Sequence, residues 1–261
     1  LLSEAGYDVR VVNPIAAKRY ISSSIRKKKT DKADAAALAD MALVHRELPT
    51  SFCSTKNDIA IRRKMGLLCS LEKQCTSLCL MMKNYRECQV NMKMESSAVE
   101  AGIQQTISDL TKQKKQLEQE IEVLILDNEE KKENHDLAIS IPGISSYLGS
   151  LCCQMLDTNC GHAKQWIAFL GLDIPPRESG NWKGRTKLSK RGNSYLRKRL
   201  YSGAWGAVMN NRQFKAYYDQ LRERGRHHKA ALIIIARKLL IILFAVLKHG
   251  TPYDESKTSF A

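Results

Sequence analysis

Polar and apolar positions change rhythm three times along the chain. Near the start, "YDVRVVNP" sets Val9, Val11 and Val12 ahead of an Asn-Pro turn, the pattern of a short strand closing into a loop. Then "TDKADAAALADMAL", rich in strong helix formers behind a Thr, predicts a helix from about Thr30. Strand and helix together read as the tail of an α/β domain, with Pro49 at its edge. From Asn57 to about His135 there is no proline, and glycine occurs only at 66 and 102, which predicts helix throughout. Within it Ile103, Leu110, Leu117 and Leu124 recur every seven residues with Ile107 and Ile121 between them, the d and a positions of a coiled coil. Lys114 and Asn128 take the other two a positions, and polar a residues fix register and oligomer number. The periodicity suits pairing between chains and an internal hairpin, 57–90 folding back on 100–134, equally well.

A third rhythm starts at "ISIPGISSYLGSLCCQML", where Ile141-Pro142-Gly143-Ile144 separates two helical patterns as in a helix-hairpin-helix turn. Helical segments follow, punctuated by Gly171, Gly225 and Gly250 in the manner of C-caps. Asp173 to Asn193 is the one extended non-helical stretch of this half. The expected fold is mainly α, in three regions: 1–50, the end of an α/β domain; 57–135, a coiled-coil helical linker; and 136–261, a helical domain.

Charge narrows the function. Forty-two Lys/Arg against 27 Asp/Glu give +15, a field that attracts polyanions. With 43% apolar residues the chain can also bury a core. A membrane span needs about 20 consecutive apolar residues, and Arg237 and Lys238 interrupt "AALIIIARKLLIILFAVL". The expectation is a soluble, cytoplasmic protein with no membrane partner. Eight cysteines in no paired CxxC arrangement point to reduced, packed thiols rather than to a zinc ribbon or a disulfide framework.

Two sites could carry chemistry. Asp31 and Asp34 stand three apart at a helix start, so they share a face within reach of one divalent ion; acids in a first turn also simply complement the helix dipole. From Arg177 to Arg199 nine Lys/Arg surround one acid, Glu178, and a Ser-Gly pair. Ser179 is either a nucleophile whose phosphoryl target the cations Arg177, Lys183, Arg185 and Lys187 would stabilise, or an ordinary loop serine beside phosphate contacts. Lys190, Arg191, Asn193, Arg197, Lys198 and Arg199 suit backbone phosphates, Gly143 suits a phosphate held by turn amides, and Trp182 or Tyr195 suits base stacking.

Taken in order, "VVNP", "KTDKADAAALA", "IPGI", "AFLGLDIPPRESG", "KLSKRGNSYLRKRL", "YYDQLRERG" and "KAALIIIARKLL" resemble the DEDD-type transposases of the insertion-sequence one-one-ten family across nearly the whole chain. The resemblance implies a partial RuvC-like domain, a coiled-coil linker and a helical transposase domain. It implies cutting and rejoining of DNA, in some members directed by an RNA that the element encodes. Asp31 and Asp34 match the last two carboxylates of the family's set and would hold Mg²⁺; Ser179 matches the serine that attacks the scissile phosphate. The first two carboxylates belong upstream of "VVNP", so the chain reads as N-terminally truncated, with little or no strand transfer expected of it alone. The competing reading is a non-catalytic nucleic-acid-binding protein that forms homo-oligomers through the coiled coil.

Overall fold

The structure, a computed structural model, describes residues 12, 14–22, 30–45, 56–92, 98–156, 160–174, 178–179, 182–183 and 187–257. Among them are ten α-helices and one two-stranded antiparallel pairing, so the expected mainly α class holds. The predicted strand at Val9 and Val11 and the edge at Pro49 lie outside the described residues. The chain divides into two compact units, Leu1–Ile59 and Ala60–Ala261.

In the first unit α1 (Pro14–Ser22) packs on α2 (Asp31–Val44). Thr30 is the N-cap of α2, extended at φ −138°, and its hydroxyl accepts from the Ala33 amide at 3.3 Å. Tyr20 ties the helices together by donating to Asp40 Oδ2 at 2.6 Å.

The second unit begins with α3 (Lys56–Met92) and α4 (Ala98–Leu126). Three contacts fix their direction: Lys64 Nζ to Glu120 Oε2 at 2.6 Å, Cys75 Sγ to Thr111 Oγ1 at 3.8 Å, and Arg86 Nε to Glu100 Oε1 at 3.1 Å. As numbers rise on one helix they fall on the other, so the heptad seam closes as an antiparallel hairpin within the chain. On α3 the partner positions are Ile61, Leu68, Cys75, Met82 and Gln89, again seven apart. The seam is dense at one end only. Leu117, Ile121 and Ile125 are buried because α6 packs there as well, whereas Ile103, Ile107 and Leu110 are half-buried. The heptad stops before Asn128, which is not a core residue; it caps α5 (Glu129–Ile139) by accepting from the Lys131 amide at 3.1 Å.

The remaining helices are α6 (Ser146–Met155), α7 (Ala163–Phe169), α8 (Ser194–Asn210), α9 (Arg212–Glu223) and α10 (His228–His249). Helix α10 is long and apolar enough to cross a membrane, but it is the centre of this core, touching α5, α7, α8 and α9. Ala231, Leu232, Ile235, Ala236, Leu239, Leu240, Leu243 and Val246 are buried at helical spacing, while Arg237 and Lys238 fall between them on the half-exposed side. Each fully buried Leu or Ile contributes about 1.5–3 kcal/mol. Positive φ at Gly171 (65°), Gly225 (76°) and Gly250 (62°) matches the three expected helix stops.

Candidate nucleic-acid interface

The basic stretch forms an arm that connects α7 to α8. Its two ends are stitched together: Lys190 N donates to Gly171 O and Ser189 N to Asp173 O, each at 3.0 Å, and Ser189 Oγ donates to Asp173 Oδ1. Further out, β1 (Glu178–Ser179) pairs with β2 (Trp182–Lys183), Ser179 standing opposite Trp182. Within this arm the β1–β2 pairing and the Lys190–Gly171 bond follow one antiparallel register, and the Ser189–Asp173 bond is offset from it by one residue. The sequence predicts a loop around Ser179, and the β1–β2 pairing departs from it. The missed signal is Gly180-Asn181, a dipeptide whose composition favours a two-residue hairpin turn.

Close approach fixes the base of the arm. A Cβ on Gly192 would lie 1.9 Å from Phe169 O, and one on Gly171 2.4 Å from the Arg191 amide, where φ is +65°. Lys190 adopts φ 52°, a left-handed conformation that costs a non-glycine residue about 1 kcal/mol and is held by its bond to Gly171.

The expected phosphate contacts divide by position. Lys187, Lys190 and Arg191 are exposed. Asn193 instead caps α8, accepting from the Tyr195 and Leu196 amides at 2.9 and 3.0 Å, and Arg197 donates to Leu170 O at 2.7 Å. Lys198 pairs with Glu72 at 2.7 Å. Arg199 turns inward, bonding Glu72, Glu118 and Tyr195, its guanidinium 5.1 Å from the Tyr147 ring centroid. Neighbouring acids and Tyr195 push the Arg199 pKa up against the opposing effect of burial. Tyr195, expected to stack on a base, lies 3.1 Å from the Tyr147 hydroxyl within this cluster, and burial raises both phenols. Lys183 and Ser179 are described through their strands, and Arg177 and Arg185 lie outside the described residues.

Gly143 also has an internal role. Its φ is +86°, and an added Cβ would sit 2.3 Å from Gly203 O, so the Ile-Pro-Gly-Ile turn is seated on α8 through it. Between α3 and α8 runs a groove of about 710 Å³ lined by Glu72, Lys73, Thr76, Ser77, Ser194 and Lys198.

In the first unit Asp31 and Asp34 occupy the first turn of α2, Asp31 exposed and Asp34 half-exposed. They supply oxygen donors of the kind a hard cation prefers, two of the six or so it takes. Among the described residues no three His, Cys, Asp or Glu side chains gather as a metal cluster, including the group around Cys152, Cys153, Cys160 and His162. Cys152 and Cys153 are buried, which pushes both thiols up, Cys153 to about 12.

A transposase model of the DEDD type, IS110 group, matches residues 1–84, and a model described as transposase of the IS116/IS110/IS902 family matches 135–219. The chain belongs to this family of insertion-element transposases. Its relatives include the IS900 uncharacterized 42 kDa protein of Mycobacterium paratuberculosis, 27% identical over 48% of this chain and 32% of that one. The IS110 uncharacterized 43.6 kDa protein of Streptomyces coelicolor is 25% identical over 57% and 36%, and the IS116 uncharacterized 44.8 kDa protein of Streptomyces clavuligerus 31% identical over 42% and 28%. The chain thus spans about a third of the length of these relatives.

Proposed function

We propose that the protein acts on DNA as a transposase or site-specific recombinase, with Ser179 as nucleophile. The observation that carries this reading is the basic arm: Ser179 pairs with Trp182 within it, and Lys187, Lys190 and Arg191 are exposed on its return to α8. In this chemistry the Ser179 oxygen bonds to phosphorus, the bond from phosphorus to one sugar oxygen breaks, the hydroxyl proton passes to solvent, and the departing oxygen takes a proton. The cations bind the DNA backbone and offset the charge on the phosphoryl oxygens. Asp31 and Asp34 would be ligands for Mg²⁺, and a bound divalent cation supplies further neutralisation of phosphate charge. The guide RNA, homo-oligomer formation, action in the cytoplasm and the three-region division at 1–50, 57–135 and 136–261 belong to the same proposal.

The test is a denaturing gel of duplex carrying an element end, with Mg²⁺, run on a version of the protein extended N-terminally to the length of its relatives. A covalent protein–DNA adduct is expected, and it should vanish in Ser179→Ala; equal yield would remove the serine role. Undiminished cleavage in Asp31→Asn would remove the metal role. Salt-steep binding with no adduct from any form would favour the non-catalytic binding protein.

A further inference from the structure

We infer a second nucleic-acid contact, built from the exposed side of α8 and the turn between α9 and α10, which holds unpaired DNA by stacking a base on Trp205. The inference rests on the reading of the protein as DNA-acting and adds to it a surface 11 to 35 residues further along the chain than Ser194, where the arm's segment ends.

Trp205 is 42% exposed and Met209 63%, although the core beneath α8 is complete with Leu196, Leu200, Ala204, Ala207 and Val208. The indole is nonetheless fixed. Its centroid is 5.3 Å from that of His228 and 6.3 Å from that of Tyr218, both nearly perpendicular to it, and the Tyr218 hydroxyl is 2.8 Å from His228 Nδ1. Three helices therefore hold one large apolar ring in place while leaving much of it in water. A single exposed hydrophobe needs no explanation; a pre-oriented one beside clustered cations does.

Those cations are on the adjoining turn. Arg222, Arg224, Arg226 and Lys229 are exposed, with one acid, Glu223, among them. The turn is rigid: Gly225 is at φ 76°, Arg226 N donates to Leu221 O at 3.0 Å, and Arg222 Nη1 donates to Arg226 O at 2.7 Å. Aromatic face plus fixed positive charge is the combination that binds single strands, since every base has a face to stack and every nucleotide a phosphate. Duplex fits poorly, because its base faces are already covered.

The surface also connects with the first. Ser194, Lys198, Ser202, Trp205 and Met209 are exposed within an arc of about 80° on the α8 wheel, and Ser194 to Trp205 spans roughly 16 Å along the axis. Ser194 directly follows the segment bearing Lys187, Lys190 and Arg191. A strand opened beside the arm would run along this face to Trp205. The strand is DNA because the chain belongs to a family of insertion-element transposases.

Fluorescence anisotropy of the intact chain with labelled oligo(dT), oligo(U) and a duplex tests this. Trp205→Ala should weaken oligo(dT) binding at least about fivefold more than duplex binding, while Trp205→Phe stays within about twofold of the parent. Replacing Arg224, Arg226 and Lys229 together by Ala should lower the log–log salt slope on oligo(dT) by about two. Equal losses on oligo(dT) and duplex, or none, would overturn the inference, and a loss confined to oligo(U) would reassign the strand to RNA and overturn it as stated. Should Trp205→Ala unfold, the Phe and triple-Ala variants decide. If the parent chain binds oligo(dT) but not duplex, the transposase reading fails and this surface stands.

Discussion

Lys187 to Arg191 and Asn193 to Arg199 adjoin in sequence and are both strongly basic, yet the structure uses them oppositely. In the outer run the three cations project into solvent from a backbone pinned at Gly171 and Asp173. In the inner run Asn193 caps, Arg197 binds a carbonyl, and Lys198 and Arg199 neutralise a buried Glu72. Charge density in a sequence therefore measures supply, and the fold decides how much remains for a polyanion. The difference arises from α8, whose axis turns residues 196, 199, 200 and 203 toward the protein while the preceding extended segment has no such constraint.

The sharpest way to break the contrast is Arg199→Met, which takes this partner from Glu118 and leaves the buried Glu72 with Lys198 alone. A loss of about 3 kcal/mol is expected in urea unfolding, with the DNA affinity of the folded fraction unchanged; an affinity loss without destabilisation would mean that Arg199 belongs to the outer run. Gly192→Ala drives a Cβ into Phe169 O and should cost about 2 kcal/mol. It should also weaken DNA binding, because it unseats the outer run. Asn193→Ala removes the α8 cap and should cost about 1 kcal/mol, read in the same unfolding experiment. Replacing Lys187, Lys190 and Arg191 together by Ala should leave stability within about 0.5 kcal/mol per site, yet reduce the salt slope on duplex by about 2.7.

What could be read beforehand was whatever rests on local backbone chemistry or regular spacing. Thr30 as a cap, the three left-handed glycines and the α4 seam all follow from rules that act over one or two turns. The facing seam on α3 was hidden because its heptad carries Cys75, Glu72, Arg86 and Gln89, so the apolar count fell below what marks a coiled coil. Cys75, Arg86 and Glu72 find partners across the hairpin or on α8, and such partners are distant in sequence: Glu72 and Arg199 are 127 residues apart. The fates of Arg197, Tyr195 and Gly143 were hidden for the same reason. The pairing of β1 with β2 was legible in Gly180-Asn181, but the basic residues around it drew the reading toward charge alone.

The pairing of Ser179 with Trp182 ties the facing of the serine to strand alignment. Side chains alternate faces along an extended strand, so a slip of one residue between β1 and β2 would turn Ser179 to the opposite face, whereas a slip of two would restore it.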